Sequence, residues 1–248
     1  MPNVETQQSE KVLSVAQNVA RVQERIRQAA GRVGRDPEDI QLIAASKTVE
    51  AARIRAAIAA GIEILGENYL QEARKKIGQL GSQRVEWHCI GALQRNKVRY
   101  IFDLFSMVHA VDRLSLAEEI SRRGERLGRS MQVLLEVNTG GEVTKSGFEP
   151  QVLLAEVEKL AALPFIQVRG LMTIPPPTPE PEGARPYYQE LRDLRDQLQR
   201  RGIEGLDFTE LSMGMTADFE VAIEEGATMV RVGTAIFGPR PAPHAHGG

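Results

Sequence analysis

Apolar residues recur at steps of three and four positions in the first part of the chain. Within residues 9–30, this spacing places them on one face of an amphipathic helix. They are Val12, Val15, Val19, Val22 and Ile26. We therefore predict an N-terminal helix that packs this face on a larger body and ends near Gly31 and Gly34.

From residue 40 onward, short β-prone runs alternate with helical patterns. The β-prone runs are 40–46, 62–65, 85–90, 107–111, 131–137, 166–174, 208–211 and 229–232. The helical patterns are 49–60, 69–80, 96–105, 114–127, 152–163, 184–201 and 217–225. Strands joined by helices run parallel, because each crossover returns the chain to the same end of the sheet. Eight such strands predict a single α/β domain, a (β/α)8 barrel of the TIM type with an extra N-terminal helix. An open doubly wound sheet is the alternative.

Neither end of the chain continues this pattern. Residues 1–8 are mostly polar and are expected to form a flexible N-terminus. Residues 239–248 contain no core-forming run and are expected to form a disordered tail. One barrel domain then spans residues 9–238, with a proline-rich loop at 175–181 on the rim that follows the sixth strand.

Composition is that of an ordinary globular chain, with 42% hydrophobic and 26% charged residues. The formal net charge of −2 indicates no polyanion-binding surface, so nucleic acid is not an expected partner. The single cysteine, Cys89, cannot form an internal disulfide, and no spacing of cysteine and histidine fits a zinc site. No apolar stretch reaches the roughly 18 residues of a membrane helix. We therefore expect a cytoplasmic protein without bound metal or membrane contact.

A lysine directly follows the first predicted strand. In a (β/α)8 barrel, side chains at the carboxyl ends of the strands point into a shared cavity. Lys47 at this position either extends to solvent or is held in a desolvated cavity. In a desolvated cavity its pKa falls, and the neutral amine can attack a carbonyl group.

Hydroxyl residues and glycines follow the last two predicted strands. Ser212 and Gly214 come after the seventh strand, and Gly233 and Thr234 come after the eighth. Glycine allows backbone N–H groups to approach an anion, and such barrels commonly bind phosphate in these two loops. The pair of loops predicts a phosphate site across the barrel mouth from Lys47. A phosphorylated carbonyl compound bound there as a Schiff base would be pyridoxal 5′-phosphate (PLP) or a sugar phosphate, the latter in an aldolase.

Seven ordered segments together resemble one protein family. They are ASKT at 45–48, GENY at 66–69, HCIGALQRNK at 88–97, VN at 137–138 with KSG at 145–147, GLMTI at 170–174, LSMGM at 211–215 and RVGTAIFG at 231–238. Between residues 13 and 238 the chain resembles the YggS/PROSC family of pyridoxal phosphate homeostasis proteins. The barrel of that family is similar to the N-terminal domain of alanine racemase.

The resemblance implies a PLP-binding protein that takes part in intracellular vitamin B6 and amino/keto-acid homeostasis. Lys47 matches the lysine that binds PLP as an aldimine, Arg231 matches an arginine that faces the pyridine nitrogen, and Asn68 borders the ring. Phosphate contacts are implied for the remaining matching positions. Those positions are Ser212, Gly214, Gly233 and Thr234.

The resemblance also implies little or no catalytic turnover. A permanently charged arginine beside the pyridine nitrogen disfavours its protonation and weakens the ring as an electron sink. A two-base racemase similar to alanine racemase needs a tyrosine from a separate C-terminal domain, and this chain ends soon after the eighth strand. We therefore expect a monomeric carrier or regulator, not an enzyme, with PLP-dependent apo-enzymes as candidate partners. The alternatives are a PLP-dependent amino-acid racemase or lyase, and an interaction protein whose conformation is set by the cofactor.

Two further residues allow both a structural and a functional interpretation. His88 ends the third strand and is either a buried histidine satisfied by its neighbours or a residue near the cofactor, so it stays outside the predicted site. Lys145, after the fifth strand, is either a solvated loop lysine or a second amine for the cofactor.

Overall fold

A computed structural model describes residues 14–81, 84–142 and 146–239 of the chain. The predictions for residues 1–8, for Lys145 and for the tail from residue 240 onward lie outside the described residues. Within the described ranges, no helix has the length and apolar character needed to cross a bilayer.

Parallel strands close into one barrel in chain order, with the first strand hydrogen-bonded to the second and to the last. The strands are β1 Gln41–Ala45, β2 Ile64–Glu67, β3 Glu86–Cys89, β4 Met107–Val111, β5 Met131–Glu136, β6 Ile166–Met172, β7 Glu210–Ser212 and β8 Met229–Val232. The predicted (β/α)8 barrel is confirmed, and the open sheet is excluded because β1 pairs with β8.

Helices connect the strands and cover the outside of the barrel. They are α1 Val15–Arg32, α2 Ala51–Ala59, α3 Leu70–Leu80, α4 Ile101–Leu104, α5 Leu114–Leu127, α6 Pro150–Ala161, α7 Arg185–Arg201, α8 Phe219–Glu224 and α9 Thr234–Phe237. The predicted helix at 96–105 is mostly a 3₁₀ segment, Arg95–Tyr100, which the short α4 continues.

The N-terminal helix α1 packs as its apolar spacing predicts. It begins with a capping box, in which the Ser14 hydroxyl accepts from the N–H of Gln17 and the Gln17 side chain accepts from the N–H of Ser14. Val19, Val22 and Ile26 are buried, and α1 lies against α2, α8 and α9. The helix therefore covers the seam where the first and last strands meet.

Strands β6 and β7 approach closely at Gly170. A Cβ atom added there would lie 1.9 Å from the backbone oxygen of Glu210, so only glycine fits. One residue before it, Arg169 is unpaired with β5, because Val133 faces Val168 and Leu134 already faces Gly170. This bulge shifts the direction of β6 just below the rim where the strands end.

Candidate functional site

A cavity of about 530 Å³ lies at the carboxyl ends of the strands, where such barrels place their sites. Five of the seven predicted site residues line it. They are Lys47 after β1, Asn68 after β2, Arg231 in β8, and Gly233 and Thr234 directly after β8. These residues come from three neighbouring strands, because β1 pairs with both β2 and β8. The predicted phosphate loop after β8 therefore lies beside Lys47, not across the barrel mouth from it.

Ser212 and Gly214 do not line this cavity. Ser212 is fully buried at the end of β7, where its hydroxyl bonds to the side chains of His109 and Arg231. Gly214 has a φ of +89°, and a Cβ atom there would lie 2.5 Å from that of Ala222 in α8. The segment after β7 reaches the cavity wall later, at Met215, Thr216 and Ala217. Phosphate contacts for Ser212 and Gly214 stay predictions.

Lys47 is half-buried in a tight connection between β1 and α2. The next residue, Thr48, has a φ of +63°, which is unfavourable for a β-branched residue. Its N–H donates to the Glu72 carboxylate at 3.0 Å, and its hydroxyl donates to the carbonyl of Lys47 at 2.6 Å. These bonds hold the strained backbone that presents Lys47 to the cavity.

A buried ion pair supports the same connection from below. The ammonium of Lys76 in α3 pairs with Glu67 in β2 and donates to the Ser46 carbonyl at 2.7 Å. Glu67 accepts from the Ser46 hydroxyl at 3.0 Å and from the Asn68 N–H at 3.0 Å. The pair therefore holds the residue before Lys47 and the backbone of Asn68, so two lining residues share one buried support.

Glu72 completes this cluster at its solvent side. Its carboxylate accepts from Lys76 Nζ at 3.1 Å as well as from the Thr48 N–H. Partial burial opposes ionisation of Glu72, but the hydrogen bonds from Thr48 and Lys76 outweigh it and lower its pKa. Glu72 therefore stays ionised. The backbone on both sides of Lys47 is bonded to the charged group of Glu67, Glu72 and Lys76, which we call the Lys76 cluster.

Arg231 is a buried cation with neutral partners. Its Nη1 donates to Ser212 Oγ at 2.5 Å, and its Nη2 donates to the Thr173 carbonyl at 2.8 Å. Among the described residues, no carboxylate lies within 4 Å to form an ion pair with it. Burial lowers the pKa of Arg231 from its very high ordinary value, and the guanidinium stays charged at neutral pH. Arg231 thus presents a positive charge at the cavity wall without a direct ion-pair partner, although Glu136 and Asp218 act on it from a distance.

Two histidines lie inside the barrel behind Arg231. His109 Nδ1 is 2.9 Å from Ser212 Oγ, and His109 Nε2 is 3.0 Å from His88 Nδ1. Both rings are buried, and neither lines the cavity. The interpretation of His88 as a buried, satisfied histidine is therefore confirmed. The sequence analysis missed His109, whose signal was a polar residue in the middle of the apolar run 107–111.

The tyrosines lie away from Lys47. Tyr69 and Tyr100 line a second depression of about 820 Å³ on the other side of Asn68. Tyr187 and Tyr188 are in α7 on the outside of the barrel, and Tyr188 is fully buried. All four tyrosines are among the described residues, and none of them lines the first cavity.

Comparison with known proteins places the chain in a family. The family model described as "Alanine racemase, N-terminal domain" matches residues 17–241. The pyridoxal phosphate homeostasis protein of Aquifex aeolicus (strain VF5) is 46% identical over 92% of this chain and 99% of its own length. This chain belongs to the pyridoxal phosphate homeostasis protein family. The protein of that name from Pseudomonas aeruginosa is also 46% identical, over 92% of this chain and 96% of its own.

Solved structures agree with this membership. PipY of Synechococcus elongatus PCC7942, solved with PLP bound, is 37% identical to this homeostasis-family chain with a TM-score of 0.81. The match covers 91% of this chain and all of PipY. Alanine racemase of Clostridium difficile 630 is 15% identical with a TM-score of 0.69, covering 92% of this chain and 61% of the racemase, and so shares the fold alone.

Proposed function

We propose that this protein binds PLP covalently through Lys47 and serves in intracellular PLP homeostasis without significant catalytic turnover. The observation that carries the proposal is that one cavity brings together the Lys47 side chain and the charged guanidinium of Arg231. The function named for relatives at 46% identity and the PLP bound to PipY support the choice of cofactor.

The cavity fits the cofactor in size and in chemistry. Its volume of about 530 Å³ lies within the roughly 300–1,000 Å³ usual for small-molecule sites. The described hydrogen-bond partners of Arg231 are neutral, and an unprotonated pyridine nitrogen would offer it a further acceptor without adding charge. We assign the phosphate to the wall that contains Gly233 and Thr234, with Ser212 and Gly214 as supporting residues.

The chain contributes the amine and its placement. When bound, PLP supplies an aldehyde whose carbon bonds to a primary amine, with the release of one water molecule. Lys47 provides that amine, and the bonds from Ser46 and Thr48 to the Lys76 cluster hold its backbone at the cavity. Asn68, whose N–H donates to Glu67, borders the same space.

The proposed lack of turnover rests on what surrounds Lys47. No tyrosine, histidine or cysteine is among the described residues that line the cavity, and the one carboxylate among them is Glu50. Arg231 keeps a positive charge near the ring, and a cation there disfavours protonation of the pyridine nitrogen and so weakens carbanion stabilisation. Both features favour a carrier over a racemase or lyase.

The first experiment is borohydride reduction of the purified protein, followed by absorption spectroscopy and peptide mass mapping. We expect a visible chromophore that reduction removes, with a pyridoxyl-phosphate mass on the peptide that contains Lys47. Lys47→Ala should abolish the adduct, whereas Lys75→Ala, at an exposed lysine in α3, should leave it unchanged. A protein that stays unmodified in excess PLP would refute the proposal, as would an undiminished adduct in Lys47→Ala.

Turnover and partners need separate assays. Incubating the loaded protein with a panel of amino acids in D₂O should give no useful rate of deuterium incorporation at Cα, and rapid exchange would favour the racemase alternative. We also propose PLP-dependent apo-enzymes as partners of a monomeric protein. Faster recovery of an apo-enzyme with loaded protein than with the same concentration of free PLP would support direct transfer.

A further inference from the structure

A chain of polar side chains crosses the barrel interior from the cavity wall to the opposite end. Arg231 Nη1 donates to Ser212 Oγ, which lies 2.9 Å from His109 Nδ1. His109 Nε2 lies 3.0 Å from His88 Nδ1, and His88 Nε2 lies 3.7 Å from the Glu86 carboxylate. Four strands contribute to this chain, and its inner members are buried.

The number of hydrogens on each side chain determines which group donates and which accepts along this row. Ser212 Oγ already accepts from Arg231, so its own proton is available for His109 Nδ1. His109 then carries its proton on Nε2 and donates it to His88 Nδ1. His88 in turn carries its proton on Nε2, the nitrogen that faces the Glu86 carboxylate. Every hydrogen in the chain therefore points away from Arg231 toward an acceptor.

The opposite direction leaves unsatisfied groups. If His109 donated from Nδ1, the Ser212 hydroxyl would accept twice and its proton would find no acceptor among the described residues. His88 would then donate from Nδ1 and turn a bare nitrogen lone pair toward the Glu86 carboxylate. The unsatisfied serine proton and the nitrogen lone pair that faces a carboxylate are each unfavourable in a buried site.

The hydrogen-bonded side chains between Arg231 and Glu86 are also uncharged. Burial lowers the pKa of His88 to about 4 and lowers that of His109 well below its ordinary value, with neighbouring Arg231 adding to the effect at His109. Both rings are therefore neutral at pH 7, and neither competes with the charge of Arg231. A serine that donates to His109 is also a better acceptor for the guanidinium, because successive hydrogen bonds polarise one another.

We propose that Ser212 and His109 are positioning residues that hold the guanidinium of Arg231 toward the ring nitrogen of PLP. This inference rests on the proposed function of the cavity. It gives Ser212 a part that differs from its predicted phosphate contact, and it gives His109 a part that the sequence analysis did not assign. His88 completes the chain, because its Nδ1 accepts the hydrogen bond from the Nε2–H of His109.

The direction of the chain can be measured without cofactor. Long-range ¹H–¹⁵N correlation spectra of the PLP-free protein at pH 7.5 report the tautomer of each histidine, and His109→Asn and His88→Asn variants assign the signals. We expect the Nε2–H tautomer at both His88 and His109. A proton on Nδ1 of His109, or a doubly protonated His109, would overturn the proposal.

The coupling to Arg231 can be measured as PLP affinity. We expect His109→Leu and Ser212→Ala each to raise the apparent Kd for PLP about tenfold, equivalent to about 1.4 kcal/mol. If His109 acts through Ser212, His109→Leu should change the Kd less than about twofold in the Ser212→Ala background. His109→Asn, whose side-chain oxygen can accept from Ser212, should bind PLP close to the wild-type affinity. Equal effects of His109→Leu in both backgrounds would overturn the proposal.

Two controls separate this result from other failures. Urea unfolding of each variant shows whether a loss of affinity is only a loss of folded protein, and the conservative His109→Asn variant keeps the test valid if His109→Leu folds poorly. A wild-type protein that binds no PLP would refute the proposed function of the cavity. The tautomer spectra of the PLP-free protein would still decide the direction of the chain.

Discussion

Replacing Lys76 with methionine removes the cation that faces the fully buried carboxylate of Glu67. Methionine keeps much of the length and the apolar stem of lysine, so the packing of α3 on the barrel changes little. Glu67 keeps its bonds from Ser46 Oγ and the Asn68 N–H but loses its counter-ion. We expect a large loss in the free energy of unfolding at neutral pH.

The size of this loss follows from the cost of the unpaired carboxylate. Breaking a buried ion pair by removing one partner costs about 3–5 kcal/mol. The carboxyl can take up a proton instead, and keeping an ordinary glutamic acid protonated costs about 3.7 kcal/mol at pH 7 but only about 1 kcal/mol at pH 5. The folded variant then binds one more proton than the unfolded chain, so its stability falls as pH rises. Relative to wild type, Lys76→Met should lose about 3–4 kcal/mol at pH 7 and ~1–2 kcal/mol at pH 5.

Urea unfolding followed by the fluorescence of Trp87 measures this difference. Trp87 is the single tryptophan and is buried in β3. Lys75→Met, at the exposed neighbour of Lys76, is the matched control and should stay within about 0.5 kcal/mol of wild type. Adding Glu67→Gln to Lys76→Met removes both charges and should recover all but about 1–1.5 kcal/mol, with no pH dependence of the remaining loss. A loss for Lys76→Met below about 1 kcal/mol, or one that is equal at pH 5 and pH 7, would refute the reasoning.

Three further predictions concern the scaffold. Gly170→Ala should cost about 3 kcal/mol or more in thermal unfolding, because the new Cβ meets the Glu210 carbonyl, whereas Gly128→Ala, at a φ of +60° in open space, should cost only about 1 kcal/mol. Because burial lowers the pKa of His88 to about 4, the unfolded chain binds more protons below pH 6.5, and stability should fall by about 2 kcal/mol from pH 7 to pH 5 through this group. His88→Asn should flatten the pH profile by that amount; an unchanged slope would contradict the assignment. Ser14→Ala should lower the melting temperature through a loss of about 1 kcal/mol in the α1 cap, and no shift would show that the capping box contributes nothing.

The barrel was predictable where the signals are local. The runs 107–111 and 229–232 match β4 and β8, because both runs are mostly apolar, with a single polar residue each. The second strand was predicted too early, at 62–65, because Ile62 is an apolar residue of the turn after α2, where its N–H donates to Ala57. β2 ends instead at Glu67, which can be buried because it pairs with Lys76 in α3. The sequence of α3 has the pattern of an ordinary amphipathic helix, so it does not indicate this pairing.

The sequence predicted which strands contribute to the site, but not always which of their residues line the cavity. Lys47 and Arg231 lie where the carboxyl ends of β1 and β8 predict. Ser212, at the end of β7, points instead into the barrel interior, because it bonds to Arg231 and His109 there. Which residue of a strand end faces the cavity depends on the register against neighbouring strands, and that register is set by long-range pairing.

Barrel closure also explains why the histidine chain could not be predicted. His109 and Ser212 are 103 positions apart, and each by itself is a polar residue in an apolar strand. Such a residue has the same local signature whether it is merely tolerated, satisfied by backbone groups or bonded to a functional side chain. Closure places β4 and β7 across one interior, where Ser212 can bond to His109 on one side and to Arg231 in the adjacent β8 on the other. We therefore expect a substitution of His109 in β4 to change how Arg231 in β8 contributes to PLP binding.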